Sequence, residues 1–127
     1  MPGKTKVFVA DGSPISISRI LNLLAYCGNV EIVGFANDSS NTLLSLRVLK
    51  PDVLIMDIEI KGASGLQLLK SVKKEFPELV IIVLTNASQN QYRKSCVEAG
   101  ANHFFDKSSQ FWKINDILSP FPNPYQV

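Results

Sequence analysis

The sequence predicts a doubly wound α/β fold built on a parallel five-stranded sheet. Short apolar runs alternate with stretches of helical periodicity through most of the 127 residues, in the order βαβαβαβαβα. Alternation of this kind implies parallel strands joined by right-handed helical crossovers. Two of the runs, residues 53–56 (VLIM) and 79–84 (LVIIVL), are apolar without alternation, as strands buried on both faces are. Cap and breaker residues bracket the helical stretches, so the two kinds of segment can be separated along the whole chain.

Residues 6–10 (KVFVA) form the first expected strand. Ser13 is a suitable N-cap and Pro14 a suitable first helical residue. Ile17, Ile20, Leu21 and Leu24 then fall at i, i+3, i+4 and i+7, one helix face, and Gly28 is expected to stop that helix. The second strand is expected over 30–36. Asp38 or Ser39 caps a helix over 41–49, which Pro51 ends. The third strand spans 53–57. A third helix begins at about Ser64 and turns Leu66, Leu69 and Val72 inward, until Phe76 and Pro77 close it. The fourth strand, 79–84, is followed by Thr85 and then by a helix over 89–99, ended by Gly100. A short fifth strand over 103–105 leads to Asp106 and Lys107. Ser108 or Ser109 is expected to cap a last helix with Phe111, Ile114 and Leu118 inward. The reading gives one domain over 1–119 and an irregular, proline-rich tail over 120–127. The expected strand order is 2-1-3-4-5, the flavodoxin-like arrangement, with its switch point between strands one and three.

Composition narrows the function classes. A hydrophobic content of 46% in a chain of this length supports a single core. No apolar stretch is long enough to span a bilayer, and the apolar segment near the N-terminus is too short for a signal peptide. A cytoplasmic protein without membrane contact is therefore expected, as a monomer or weak dimer. Cys27 and Cys96 show no metal-ligand spacing and read as two buried thiols in a reducing compartment. The formal net charge is +2 and there is no basic run, so charge gives no support to nucleic-acid binding.

In such a sheet, ligands bind beyond the carboxyl ends of the strands. Strand one ends at Asp11, strand three at Asp57, strand four at Thr85 and strand five at Lys107. Any one of these alone reads as a turn or cap residue. Four on successive strand ends of one rim read as a site. Two crowded carboxylates suit a hard divalent cation. A lysine can balance a phosphate, and a threonine hydroxyl can bond a phosphoryl oxygen. This is equipment for placing a phosphoryl group on an aspartate.

Four motifs carry a resemblance: DGSP after the first strand, LIMDIEIKGASGL around the third, VLTNAS after the fourth and EAGANHFFDKS at the fifth. In this order and spacing the chain resembles the receiver domain of bacterial two-component response regulators, of the stand-alone type, up to about Leu118. The resemblance implies a signalling protein, not an enzyme. Asp57 is then the phosphoacceptor, served by a sensor histidine kinase or phosphotransfer protein. Asp11, Asp57 and the Glu59 backbone carbonyl, with its side chain as a substitute ligand, hold Mg²⁺. Lys107 contacts phosphate, and Thr85 and Phe104 form a coupled switch. The fourth helix, fifth strand and fifth helix form the face on which an output protein docks, with Tyr92, Arg93, Lys94 and Trp112 as candidate contacts.

Three departures accompany the resemblance. Gly12 stands where receivers carry a second acid, so Mg²⁺ affinity is expected to be weakened. Lys61 replaces a usual proline. Ser108 follows Lys107 where many receivers have proline, so the cis peptide common there is not expected. The first departure also raises an alternative, a pseudo-receiver acting as a phosphorylation-independent docking module. A small hydrolase with an Asp nucleophile or a flavodoxin-like cofactor carrier fits less well: no glycine-rich loop follows the first strand, and no general acid neighbours Asp57. His103 is expected at a surface or strand edge.

Overall fold

The computed structural model describes residues 3–86 and 91–118. Ten elements follow in strict alternation: β1 (Thr5–Ala10), α1 (Pro14–Leu24), β2 (Val30–Ala36), α2 (Ser39–Leu49), β3 (Val53–Met56), α3 (Gly65–Glu75), β4 (Val80–Thr85), α4 (Arg93–Glu98), β5 (His103–Asp106) and α5 (Lys113–Leu118). The strands lie in the order β2-β1-β3-β4-β5, and every neighbouring pair is parallel. This is the expected flavodoxin-like topology.

Alternation along each strand sends successive side chains to opposite faces, and helices cover both. Phe8, Leu54, Met56, Ile81, Val83 and Phe104 pack toward Leu46 of α2, Leu69 of α3 and Cys96 of α4. Val7, Val9, Ile55, Ile82 and Leu84 pack toward Ile17 and Ile20 of α1 and Ile114 and Leu118 of α5. Both cysteines are free and buried. Among the described residues, no helix is long and apolar enough to cross a membrane.

The N-terminal caps of the first two helices are expected residues, and Ser64, near which the third helix is expected to begin, caps that helix. Ser13 accepts from the Ser16 N–H, Asp38 from Asn41 and Ser64 from Gln67. Several boundaries differ from expectation. Strand β3 ends at Met56, so Asp57 opens the loop, its N–H donating to the Ala10 carbonyl at 2.9 Å. Helix α1 ends at Leu24, before Gly28; the positive-φ glycines are Gly62 and Gly100. In α3 the buried apolar side chains are Leu68, Leu69 and Val72, with Leu66 only half-buried. Helix α4 begins at Arg93; residues 89 and 90 of its expected span lie outside the described residues.

The largest difference is at the last helix, which starts at Lys113 and not after a serine cap. Ser108 instead donates both its N–H and its hydroxyl to Asp106. Phe111 therefore precedes the helix and is half-buried. The expected tail, 120–127, lies outside the described residues.

Gly65 fixes the loop that carries the site into α3. A Cβ there would lie 2.1 Å from the Ile58 carbonyl oxygen, so only glycine lets the helix start pass this close to the preceding backbone.

Candidate functional site

Four strand ends deliver the site. Asp11 follows β1, Asp57 follows β3, Thr85 closes β4 and Lys107 follows β5. All four are buried; the two carboxylates are each only 1% exposed. The structure brings together all four residues predicted for this rim.

Every carboxylate oxygen has a donor. Asp11 Oδ1 accepts the Ser13 N–H at 2.9 Å, and Oδ2 accepts the Ser16 hydroxyl at 2.6 Å. Asp57 Oδ1 accepts the Thr85 hydroxyl at 2.8 Å and the Glu59 N–H at 2.9 Å. Lys107 Nζ lies between the acids, 2.8 Å from Asp11 Oδ2 and in direct contact with Asp57 Oδ2. The Lys107 backbone N–H donates to the Thr85 carbonyl at 2.8 Å, which ties the two strand ends together. Burial opposes the charge on Lys107 more than any other influence, but hydrogen bonds and attraction from Asp11 and Asp57 together outweigh it, and the ammonium pKa is raised.

A cleft of about 460 Å³ opens over these groups, with Arg19, Lys61 and Asn86 on its walls. The Lys61 N–H donates to the Asn37 carbonyl at 3.2 Å, and the Lys61 carbonyl accepts from Ser39 at 2.8 Å. This pins the loop after β3 to the loop after β2. A proline at 61 would have no N–H to give.

Glu59 has an exposed side chain at the rim, and its carbonyl accepts the Gly12 N–H at 3.0 Å. A Cβ on Gly12 would sit 2.8 Å from that carbonyl oxygen. Gly12 thus does more than omit an acid: it lets the two loops touch. The donor chemistry suits a hard cation in kind, with two carboxylates and a carbonyl. In the arrangement seen, the carbonyl is engaged by Gly12 and both carboxylates by Lys107.

Phe104, the expected switch aromatic, lies in the core of β5 and is 3% exposed. The Arg93 guanidinium covers its ring at 4.8 Å from the centroid. Its expected partner Thr85 is already turned to Asp57. Sequence reasoning missed Ser16 and Asp106. Ser16 left a readable signal: a polar residue four positions before Ile20, on the buried stripe of α1.

Residues 7–119 match the response regulator receiver domain. The chain belongs to this family. Receivers generally bind Mg²⁺ at an acidic pocket, and the family signals rather than catalyses. This receiver is 30% identical over 117 residues to the DNA-binding transcriptional activator EvgA of Escherichia coli (strain K12), a match spanning 92% of this chain and 57% of EvgA. It is 33% identical over 116 residues to a protein-glutamate methylesterase/protein-glutamine glutaminase of Clostridium acetobutylicum. That match spans 90% of this chain and 34% of the relative, its receiver part only. The chain thus spans little more than half, or less, of these relatives. Among solved structures, the isolated REC domain of RcsB from Salmonella enterica serovar Typhimurium, in the presence of phosphomimetic BeF₃⁻, superposes with a TM-score of 0.79 at 29% identity, covering 84% of this chain and 80% of that one.

Proposed function

We propose that this receiver accepts a phosphoryl group on Asp57 from a histidine kinase or phosphotransfer protein. We further propose that it signals through the surface of α4, β5 and α5. The observation that carries the reading is the buried Asp57 carboxylate with the Thr85 hydroxyl and the Lys107 ammonium bonded to it. In the transfer, an Asp57 oxygen forms a bond to phosphorus as the bond from phosphorus to the donor nitrogen breaks, and the imidazole leaves. Charge spreads over the three equatorial oxygens, so positioning and electrostatics do most of the work. Lys107 and Thr85 are placed to turn from the carboxylate to those oxygens, as charge-assisted and neutral donors. Mg²⁺, when bound, supplies further neutralisation; Asp11, Asp57 and the Glu59 carbonyl would hold it, less tightly for want of an acid at position 12. Cys27 and Cys96, buried free thiols, suit a cytoplasmic setting.

Beneath the proposed output face lie Thr85, at the end of β4, and Phe104, within the neighbouring β5. Tyr92, Arg93, Lys94 and Trp112 are exposed above it and are its candidate contacts. Incubation with acetyl phosphate and Mg²⁺ should add one phosphoryl mass to the wild-type protein and none to Asp57→Asn. A labelled peptide from elsewhere in the chain would overturn the assignment.

A second reading has its own support. Gly12 stands where receivers carry a second acid, and its N–H engages the Glu59 carbonyl. Both features suit a docking module that works without phosphorylation. No mass gain in the wild-type protein would favour it.

A further inference from the structure

Asp106 ends β5 and is 7% exposed, yet the chemistry above makes no use of it. Its Oδ1 accepts both the N–H and the hydroxyl of Ser108, each at 2.7 Å. Its backbone meets Gln110 twice. The Asp106 carbonyl accepts the Gln110 N–H at 2.8 Å, and its N–H donates to Gln110 Oε1 at 3.0 Å. The chain is therefore fastened immediately before and after Lys107. With serine and not proline at 108, the turn has an N–H to place, and Asp106 takes it. The Ser108 hydroxyl and then its N–H hold the Asp106 carboxyl below the ordinary aspartate value.

Lys107 carries its ammonium on a flexible four-carbon stem, and that ammonium meets Asp11 and Asp57 at once. Satisfying both acids limits where its Cα can sit, and displacements of about 1 Å matter greatly in such sites. We propose that Asp106 is a positioning residue: through the two bonds its carboxylate accepts from Ser108 it sets the turn that presents the Lys107 ammonium to Asp57. The inference rests on the phosphoacceptor reading for its purpose, but its geometry can be tested apart from it.

The test is acylation of Lys107 by acetic anhydride, read by peptide mass spectrometry on the full chain, with global stability measured in parallel. Asp106→Ala should raise Lys107 labelling about tenfold, as loss of hydrogen bonds to a charged group implies. Asp106→Asn keeps an acceptor oxygen and should stay within about twofold of wild type on the same grounds. Should Asp106→Ala not fold, Ser108→Ala removes one of the two bonds and should loosen Lys107 by a smaller factor. Wild-type labelling in Asp106→Ala, or in Ser108→Ala where that variant stands in, would overturn the proposal. So would labelling that only tracks global unfolding. In a separate arm, acetyl phosphate should modify Asp106→Ala more slowly than Asp106→Asn. A wild-type protein that gains no phosphoryl mass would sink the phosphoacceptor reading alone, because the labelling still decides the positioning.

Discussion

The two ends of the sheet treat charge in opposite ways. At the carboxyl end, Asp11, Asp57, Asp106 and Lys107 are all buried, and they are the four buried charged side chains among the described residues. At the amino end, Asp52 lies exposed with one oxygen on the Lys6 N–H at 2.8 Å. There the Asp52 backbone joins β1 and β4, through the Lys6 carbonyl at 2.8 Å and the Val80 N–H at 3.2 Å. Its neighbouring cleft, about 600 Å³, is lined mainly by residues such as Leu46, Pro51, Phe76 and Leu79. One end keeps its charges in water and its apolar groups together. The other holds charges out of water, where desolvation opposes them and hydrogen bonds must compensate. Folding alone gives no reason for the second pattern. The contrast is what marks the carboxyl end as a site.

The largest expected effect follows from removing the one ammonium that serves both acids. Lys107→Met leaves two buried carboxylates facing each other, and breaking a buried pair in this way costs about 3–5 kcal/mol. Urea denaturation at neutral pH measures it. The wild-type protein offers the complementary check. Its Lys107 pKa is raised in the folded state. The stability tied to that charge is therefore complete below the ordinary lysine value near 10.5 and is lost as pH rises through the folded value above it. A wild-type stability curve flat across that alkaline range, or a Lys107→Met protein as stable as wild type, would erase the contrast between the two ends.

Much of this division was legible in the residue pattern. Alternating segments imply the sheet order, and the sheet order alone gathers Asp11, Asp57, Thr85 and Lys107 on one rim. What stayed hidden was of two kinds. Side-chain competition for the backbone was one: Ser108 was a plausible helix cap, but Asp106 captures both of its donors, and the helix starts later. Close approach was the other. Gly12 read as a missing acid, whereas its absent Cβ also permits contact with the Glu59 carbonyl. Contacts between loops distant in sequence leave no local periodicity to read.

Gly12→Asp sharpens the comparison at intermediate size. Added acid alone would strengthen the hold on Mg²⁺, but the new Cβ meets the Glu59 carbonyl oxygen at 2.8 Å, so the loop after β3 must move. Forced repacking of this kind costs about 1–3 kcal/mol, and a third acid beside two others adds repulsion. Without metal the variant should therefore be less stable than wild type. With Mg²⁺ it should recover more than wild type gains, because binding to the folded state alone stabilises by mass action. Thermal unfolding with and without Mg²⁺ tests both parts. Unchanged stability in the metal-free variant would show that the loops do not depend on glycine.

The smallest effect is expected at the opposite end, where Asp52→Ala serves as the control. The backbone bonds of residue 52 to Lys6 and Val80 survive the change, since alanine keeps both N–H and carbonyl. Only the side-chain acceptor for the Lys6 N–H is lost. That group is exposed, so water can replace the carboxylate, and the loss should be about 0.5–1 kcal/mol. Phosphoryl gain from acetyl phosphate should be unaltered, because Asp52 precedes β3 and Asp57 follows its other end. Denaturation and intact mass, run side by side with Lys107→Met, make the comparison direct. If Asp52→Ala cost as much stability as Lys107→Met, exposure would not be what separates the two ends. If it slowed phosphorylation, the amino end would be coupled to the site, and the division between a structural and a functional rim would have to be redrawn.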